Sequence, residues 1–447
     1  MDIQFKGKAL HYHADGKADK TSIVTTKPCD TPQELSLAYT PEVAVPATEI
    51  NKERWKAYRY TNKGNLVAVI SNGSSVLGLG NIGALSSKPV MEGKAMIFKK
   101  YADIDAFDIE IAEEGPQKLI KTIQSLAPTF GGINLEDIKS PDCFVIEESL
   151  CGLLDIPVLH DDQHGTAVTV CAALINACTL AEKELSNIKI TICGAGAAAI
   201  STARALCSIG VDKRKIIMID SKGVINYRRN DINRYKAEFA TESNITTISE
   251  AMQGSDAFIG LSRGNILTES DITSMAERAI IFALANPSPE IGYEHAKRVR
   301  PDAIVATGDS DSPNQINNLL AFPYLFRGAL DTLSAIINED MKIAAAKAIA
   351  EIAREETTKD VEELYGKKLQ FGDDYILPKP GDTRLLCNVS AAVAKAAMES
   401  GVARRKIISF KEYCRTLLQR VEEVNSFSHY SRIHKSGSGY PGRLQEL

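Results

Sequence analysis

Apolar and polar positions alternate most regularly in the second half of the chain. Residues 188–193 form a β-prone apolar run, 194–200 a glycine-alanine turn, 201–209 a helical stretch and 216–220 the next strand. Further short apolar runs at 257–260, 279–283 and 303–306 read as strands separated by helical segments. This alternation predicts an α/β protein with a Rossmann-type, doubly wound parallel sheet. Upstream, the β-branched run 66–70 closes on Asn72-Gly73, a hairpin signal. Residues 158–160 predict a short strand carrying Asp161 and Asp162 at its end, and 166–184 a helix packed on a sheet. Residues 336–355 predict an amphipathic helix, and the polar stretch 436–447 is expected to fray.

Composition narrows the class. At 447 residues and 44% hydrophobic, the chain can bury a large core and is expected to divide into domains. Its formal net charge of −5, with both signs interspersed, offers no basic stripe for nucleic acid. Nine cysteines without a CxxC predict buried, reduced thiols in a cytoplasmic setting. The first residues carry no signal-peptide run, and the weakly polar stretch 166–181 reads as a buried helix rather than a membrane span.

Gly194-Ala195-Gly196-Ala197-Ala198-Ala199 follows a predicted strand and fits the dinucleotide fingerprint. Gly194 permits the tight turn, Gly196 a close approach of pyrophosphate, and small Ala199 the packing of helix on strand. Asp220 lies 24 residues beyond Gly196, at the end of the next strand, where a ribose-binding acid belongs. That acid favours NAD, whereas Ser221, Lys222, Arg228 and Arg229 suit the 2′-phosphate of NADP, so NAD or NADP stays open. A second match, Gly78-Leu79-Gly80-Asn81-Ile82-Gly83, competes as a dinucleotide turn. Pro89 downstream reads as the helix start there, which favours an ordinary turn.

Glu136, Asp137 and Asp162 are hard oxygen donors suited to Mg²⁺ or Mn²⁺. By spacing alone, Glu136-Asp137 fit a solvated helix start equally well, and Asp161-Asp162 a turn. His160 and His164, four apart, lack the His-Glu-x-x-His pattern of a zinc helix.

Taken together, Tyr39-Thr40-Pro41-Glu42-Val43-Ala44, residues 77–83 running into Lys88–Ala95, and Asn134–Ile138 resemble the malic enzymes, especially the shorter microbial form. The same is true of His160–Thr166, residues 194–199, Ala285-Asn286-Pro287 and Pro313–Asn318, in the family order from about residue 33 to about 403. The resemblance implies oxidative decarboxylation of L-malate to pyruvate and CO₂, with reduction of NAD or NADP and dependence on Mg²⁺ or Mn²⁺. It implies an N-terminal α/β substrate domain over 1–160, a dinucleotide domain over 161–400, a helical tail over 401–447, and a homodimer. Glu136, Asp137 and Asp162 look like the metal ligands. Lys94 looks like the base that takes the C2 hydroxyl proton, with a pKa brought down from ~10.4 toward ~7–8 by metal and desolvation. Tyr39 looks like the acid that protonates C3 of the enol, and Asp161 like the group that tunes Lys94. Asn286 and Asn318, with Asn317, resemble side chains orienting substrate carboxylate and nicotinamide ribose.

Three positions depart from the family pattern. Asn72 stands for an aspartate, Asp309 for an arginine of short forms, and Ser75 for a substrate-binding arginine of long forms. The substrate carboxylate therefore needs another partner. The rival readings are a malolactic-type lyase, which releases lactate without net reduced nicotinamide, and a silent dinucleotide-binding regulator.

Overall fold

The computed structural model describes residues 3–14, 20–113 and 115–435. Two parallel sheets organise them. The first has the order β2-β1-β3-β4, with β1 Leu66–Ser71, β2 Asp105–Glu110, β3 Gly132–Leu135 and β4 Val158–His160. The second has the order β10-β9-β8-β5-β6-β7. Its strands are β5 Ile190–Cys193, β6 Ile216–Asp220, β7 Gly223–Val224, β8 Ala257–Gly260, β9 Ile280–Ala283 and β10 Ile304–Thr307. All pairings in it are parallel except β6 with β7. The doubly wound expectation holds. The stretch 436–447, expected to fray, lies outside the described residues.

The hairpin expected at Asn72-Gly73 does not form. All six residues of β1 are buried, and both of its neighbours, β2 and β3, run parallel to it. A strand covered on both faces reads as an apolar run rather than an alternating one, and that property was the stronger signal here. Asn72-Gly73 instead opens a glycine loop that closes on itself, with Ile82 and Gly83 donating to the Gly73 carbonyl.

Pro89 is not a helix start either. Helix Ala84–Ala102 begins directly after Gly83, whose φ of +78° turns the chain into it, and carries Pro89 inside. Its buried positions Ser87, Met91, Lys94, Ala95, Phe98 and Ala102 repeat at helical spacing, so Lys94 projects from the inward stripe. Burial of that stripe outweighs the hydrogen bond lost at one proline.

The helix expected from residue 166 begins five residues earlier, as Asp161–Leu180. His160 is its N-cap residue, and Asp161 and Asp162 occupy its first turn, where negative charge complements the helix dipole. Glu147, on helix Asp142–Leu153, accepts from the His160 amide at 2.7 Å and from Gln163 Nε2 at 3.1 Å. This buried carboxylate fixes where the helix starts. Helix Glu339–Arg354 packs against it, helix Arg384–Glu399 packs against both Glu339–Arg354 and Phe322–Asp331, and helix Phe410–Lys435 lies against Arg384–Glu399. The nine cysteines are free thiols, and five of them are buried. Among the described residues no helix is long and apolar enough to cross a membrane.

Candidate active site

The carboxyl ends of both sheets face one cleft. In the second sheet, Gly194 has φ +129°, and a Cβ there would stand 2.4 Å from the Leu261 carbonyl oxygen. Only glycine makes that turn. At Gly196 a Cβ would meet nothing, so the backbone is open to a ligand, and helix Ala197–Ser208 starts at the next residue. Ala199 is buried against the strand, as expected. The turn borders a cavity of about 840 Å³ that reaches Asp220 and Lys236, and a second of about 740 Å³ that reaches Lys94 and Asp162. Ser140, Gly196, Leu261 and Ser262 line both, so the two are continuous around the turn. Such a cradle fits a dinucleotide pyrophosphate at a helix N-terminus.

The competing glycine loop serves a different purpose. A Cβ on Gly78 would lie 2.5 Å from the Asn286 carbonyl oxygen, so Gly78 lets the first-sheet loop touch the second-sheet loop across the cleft.

Asp220 is not available to a ribose hydroxyl. Its Oδ1 accepts from the Lys222 amide at 2.9 Å and from Arg229 Nη1 at 2.7 Å. Its Oδ2 accepts from Arg229 Nη2 at 2.9 Å and from Lys236 Nζ at 2.7 Å. Burial works against its charge, but the bonds from Arg229 and Lys236 outweigh it and hold the carboxyl down at about 2. The Lys222 side chain turns away to Asp231 at 2.8 Å, and Arg228 to Asn244 at 2.6 Å. Lys236, which no motif singled out, lines the cavity instead.

At the other end, Lys94 Nζ touches Asp161 Oδ2 and lies 2.9 Å from Glu136 Oε1. The Phe322 ring covers it, with the ring centre 3.8 Å from Nζ. Asp161 is fully buried behind the cleft and also accepts from Asn318 Nδ2 at 2.5 Å. Burial acts to neutralise Lys94, yet Asp161 and Glu136 outweigh it and hold the ammonium above the ordinary lysine value. The expected lowering is thus reversed among the protein groups. Burial alone would lower the lysine, but the two carboxylates against it favour the charged form more than burial opposes it.

Glu136, Asp137 and Asp162 converge on the same wall of the cleft. Burial raises all three, and repulsion from Asp162 adds to it at Glu136 and Asp137, carrying Asp137 up to about 9. Asp137 Oδ2 is buried with no hydrogen-bond partner. A divalent cation would relieve both the repulsion and the orphaned oxygen, so hard oxygen donors and site chemistry fit one another. The side chains do not yet form a cage. Among the described residues no three such groups are arranged around one point, and protein donors occupy oxygens of two of the three carboxylates. Glu136 accepts from Lys94 and from Asn134 Nδ2 at 2.8 Å, and Asp162 from the Asp137 amide at 2.8 Å.

Asn286, Asn317 and Asn318 line the cleft, as does Ser75, while Asp309 is exposed and does not. Tyr39 is not brought to the cleft of its own chain: it ends helix Pro32–Ala38 and is 73% exposed. His160 is buried beside Asp162 at 3.5 Å, with burial lowering it to about 4, while His164 pairs with Glu147 at 3.0 Å. The two histidines do not converge. Sequence reasoning missed Lys20, which lines the cleft and donates to the Pro89 carbonyl at 2.6 Å. It also missed Phe322 and Lys236, none of which sits in a recognisable pattern.

A dinucleotide turn that opens into the same cleft as a lysine-centred carboxylate cluster defines a class, the nicotinamide-dependent oxidoreductases. Comparison with known proteins narrows it. Residues 18–117 match the malic enzyme N-terminal domain, and residues 163–367 the malic enzyme NAD-binding domain. The NADP-dependent malic enzyme of Halomonas elongata is 51% identical, covering 89% of this chain and 94% of that one. The bifunctional malic/malolactic enzyme of Bacillus subtilis is 46% identical, over 90% and 95%. The chain belongs to the malic enzyme family. The crystal structure of malic enzyme from Pyrococcus horikoshii superimposes with a TM-score of 0.88 at 40% identity, covering 97% of this chain and all of that one. Other relatives are longer: the chain spans 56% of the probable NADP-dependent malic enzyme of Rickettsia prowazekii, at 52% identity.

Proposed function

We propose that this chain catalyses oxidative decarboxylation of L-malate to pyruvate and CO₂ with reduction of NADP, assisted by Mg²⁺ or Mn²⁺. The observation that carries this reading is the continuity of the two cavities, one at the dinucleotide turn and one at Lys94. When bound, the nicotinamide would accept the hydride from C2, and the cation would act as a Lewis acid on the C2 oxygen. Glu136, Asp137 and Asp162 would hold that cation. Lys94 removes the C2 hydroxyl proton once the cation offsets the carboxylates that now keep it charged. Asp161 and Asn318 fix its position from behind, and Phe322 excludes water from one side. Asn286 and Asn317 orient the substrate carboxylate and the nicotinamide ribose. The test is nicotinamide reduction with L-malate and Mn²⁺, with pyruvate measured and an EDTA control. Without metal-dependent reduction the reading fails. The Bacillus relative supports a second, malolactic reading, which lactate without net reduced nicotinamide would establish.

NADP is favoured because Asp220 has no acceptor position left for a 2′-hydroxyl, while Lys236 faces the cavity beside it. Lys236→Ala is expected to raise the KM for NADP by ~10-fold or more, the loss of one charge-assisted hydrogen bond, and to change that for NAD far less. Equal shifts for both cofactors would remove Lys236 from the 2′-site.

The acid role of Tyr39 belongs to a homodimer. The segment carrying it also exposes Leu35, Leu37, Val45 and Trp55, an unpartnered apolar surface that a second copy would cover. One copy's Tyr39 then completes the other's cleft. Mixing Lys94→Ala and Tyr39→Phe proteins should restore activity that neither has alone, by forming one intact cleft per mixed dimer. No recovery after subunit exchange would confine Tyr39 to a role within its own chain.

A further inference from the structure

A third cavity, of about 210 Å³, lies away from the malate cleft, where three parts of the chain meet. Tyr58 to Asn65 come from the segment before β1, Arg327 to Leu333 from helix Phe322–Asp331 and the residues after it, and Arg405 and Arg420 from the C-terminal segment. Its lining holds three guanidinium groups against one carboxylate, that of Asp331.

These groups are arranged rather than scattered. Arg327, only 1% exposed, donates to Asp331 at 2.6 and 2.8 Å and to Asn65 Oδ1 at 2.6 Å. Arg420 reaches the same Asn65 oxygen at 3.2 Å and Asp103 at 2.8 Å. Arg405 is tied at Nε to the Asp331 carbonyl at 2.6 Å, while its Nη2 stands 3.9 Å from the Asp331 carboxylate. Among the described residues, the Nη groups of Arg405 and Nη1 of Arg420 make no hydrogen bond. The pocket therefore keeps an excess of positive charge and unused guanidinium edges, the geometry that takes carboxylate or phosphate oxygens in pairs. Its volume suits a small ligand and not a nucleotide.

We propose that this cavity binds a small doubly charged anion, a dicarboxylate or a phosphate, and that its occupancy is felt in the malate cleft. The link is helix Phe322–Asp331 itself. Arg327 and Asp331 sit at its pocket end, and Phe322, its first residue, covers Lys94. At ten residues the helix spans ~15 Å. An anion that draws Arg327, Arg405 and Arg420 together would bear on that helix and so on the Phe322–Lys94 contact.

The test is calorimetry on the full chain with inorganic phosphate and, separately, succinate, comparing the parent protein with Arg405→Gln and Arg420→Gln. Arg405 is 55% exposed in a loop, so its replacement is compatible with folding even if that of Arg420 is not. Saturable binding of either anion, weakened tenfold or more by Arg405→Gln, is the expected result, and the preferred anion names the ligand class. Hydrogen exchange should slow at residues 58–65 and 327–333 in the parent alone. No saturable binding, or binding unaffected by Arg405→Gln, would overturn the site. The kinetic arm, a shift in the malate KM that Arg405→Gln abolishes, rests on the malic reading, whereas the binding arm does not. Binding without any such shift in an active enzyme would overturn the coupling.

Discussion

Replacing Lys94 by alanine is expected to lower kcat for malate oxidation by ~10²–10⁴-fold, the range a positioned general base supplies. No other amine stands where Nζ does, between Asp161 and Glu136 under the Phe322 ring. Lys20, the nearest alternative along the cleft, is occupied by the Pro89 carbonyl. Metal affinity should not fall with activity. Nζ holds Glu136 Oε1 at 2.9 Å, so removing it frees a ligand oxygen and deletes a positive charge beside the cation. Mn²⁺ binding equal to or tighter than the parent's, with turnover nearly gone and partly restored by added methylamine, is the signature of a lost base. Full turnover would end the assignment. Loss of both turnover and Mn²⁺ binding would mean that Lys94 organises the carboxylates instead.

The second large effect separates stability from function at one residue. Asp137→Asn should abolish Mn²⁺-dependent activity and yet stabilise the metal-free protein by ~0.5–2 kcal/mol near pH 8. Burial, then Asp162 and Glu136, raise Asp137 from 3.8 to about 9. An acid raised on folding keeps its proton in the folded state while the unfolded chain loses it. At this group, stability therefore declines as pH climbs from about 4 to about 9, and is fully present only below that window. The asparagine variant lacks this slope. Metal binding requires the ionised carboxylate, so Mn²⁺ should flatten the slope in the parent and tighten with rising pH. Thermal melts across that range, with Mn²⁺ or with EDTA, test both halves. A variant that melts like the parent in EDTA would show that Asp137 carries no buried charge cost. One that binds Mn²⁺ normally would remove it from the ligand set.

Elements whose burial pattern is local could be read directly. The strand into Gly194 and the strand ending at Asp220 stand within two residues of where periodicity put them, because glycine geometry and apolar alternation act over a few residues. The helix expected from Ser201, by contrast, begins at Ala197, inside the stretch expected as turn. The other errors share one cause. Asn72-Gly73 is a good hairpin turn in isolation, but β1 found parallel neighbours on both sides. Pro89 is a good helix start in isolation, but the stripe from Ser87 to Ala102 had a core to enter. Residue 166 looked like a helix start until Glu147 captured the His160 amide. In each case tertiary burial overrode a local preference worth a kcal/mol or so.

What the sequence determined by itself was the dinucleotide turn, recognisable by type and local spacing. The hard oxygen donors and the lysine were singled out by the family resemblance, since spacing alone fitted a solvated helix start and a turn equally well. Tertiary structure decided which of these meet. It brought Lys94 to Asp161 across 67 residues, Asn318 to Asp161 across 157, and Gly78 to Asn286, and it left Tyr39 on the outside. It also reversed the meaning of Asp220, whose acceptor positions are filled by Arg229, Lys236 and the Lys222 amide. The physical reason is that a residue's type fixes its donors and acceptors, but only packing fixes which partners fill them and what charge surrounds them.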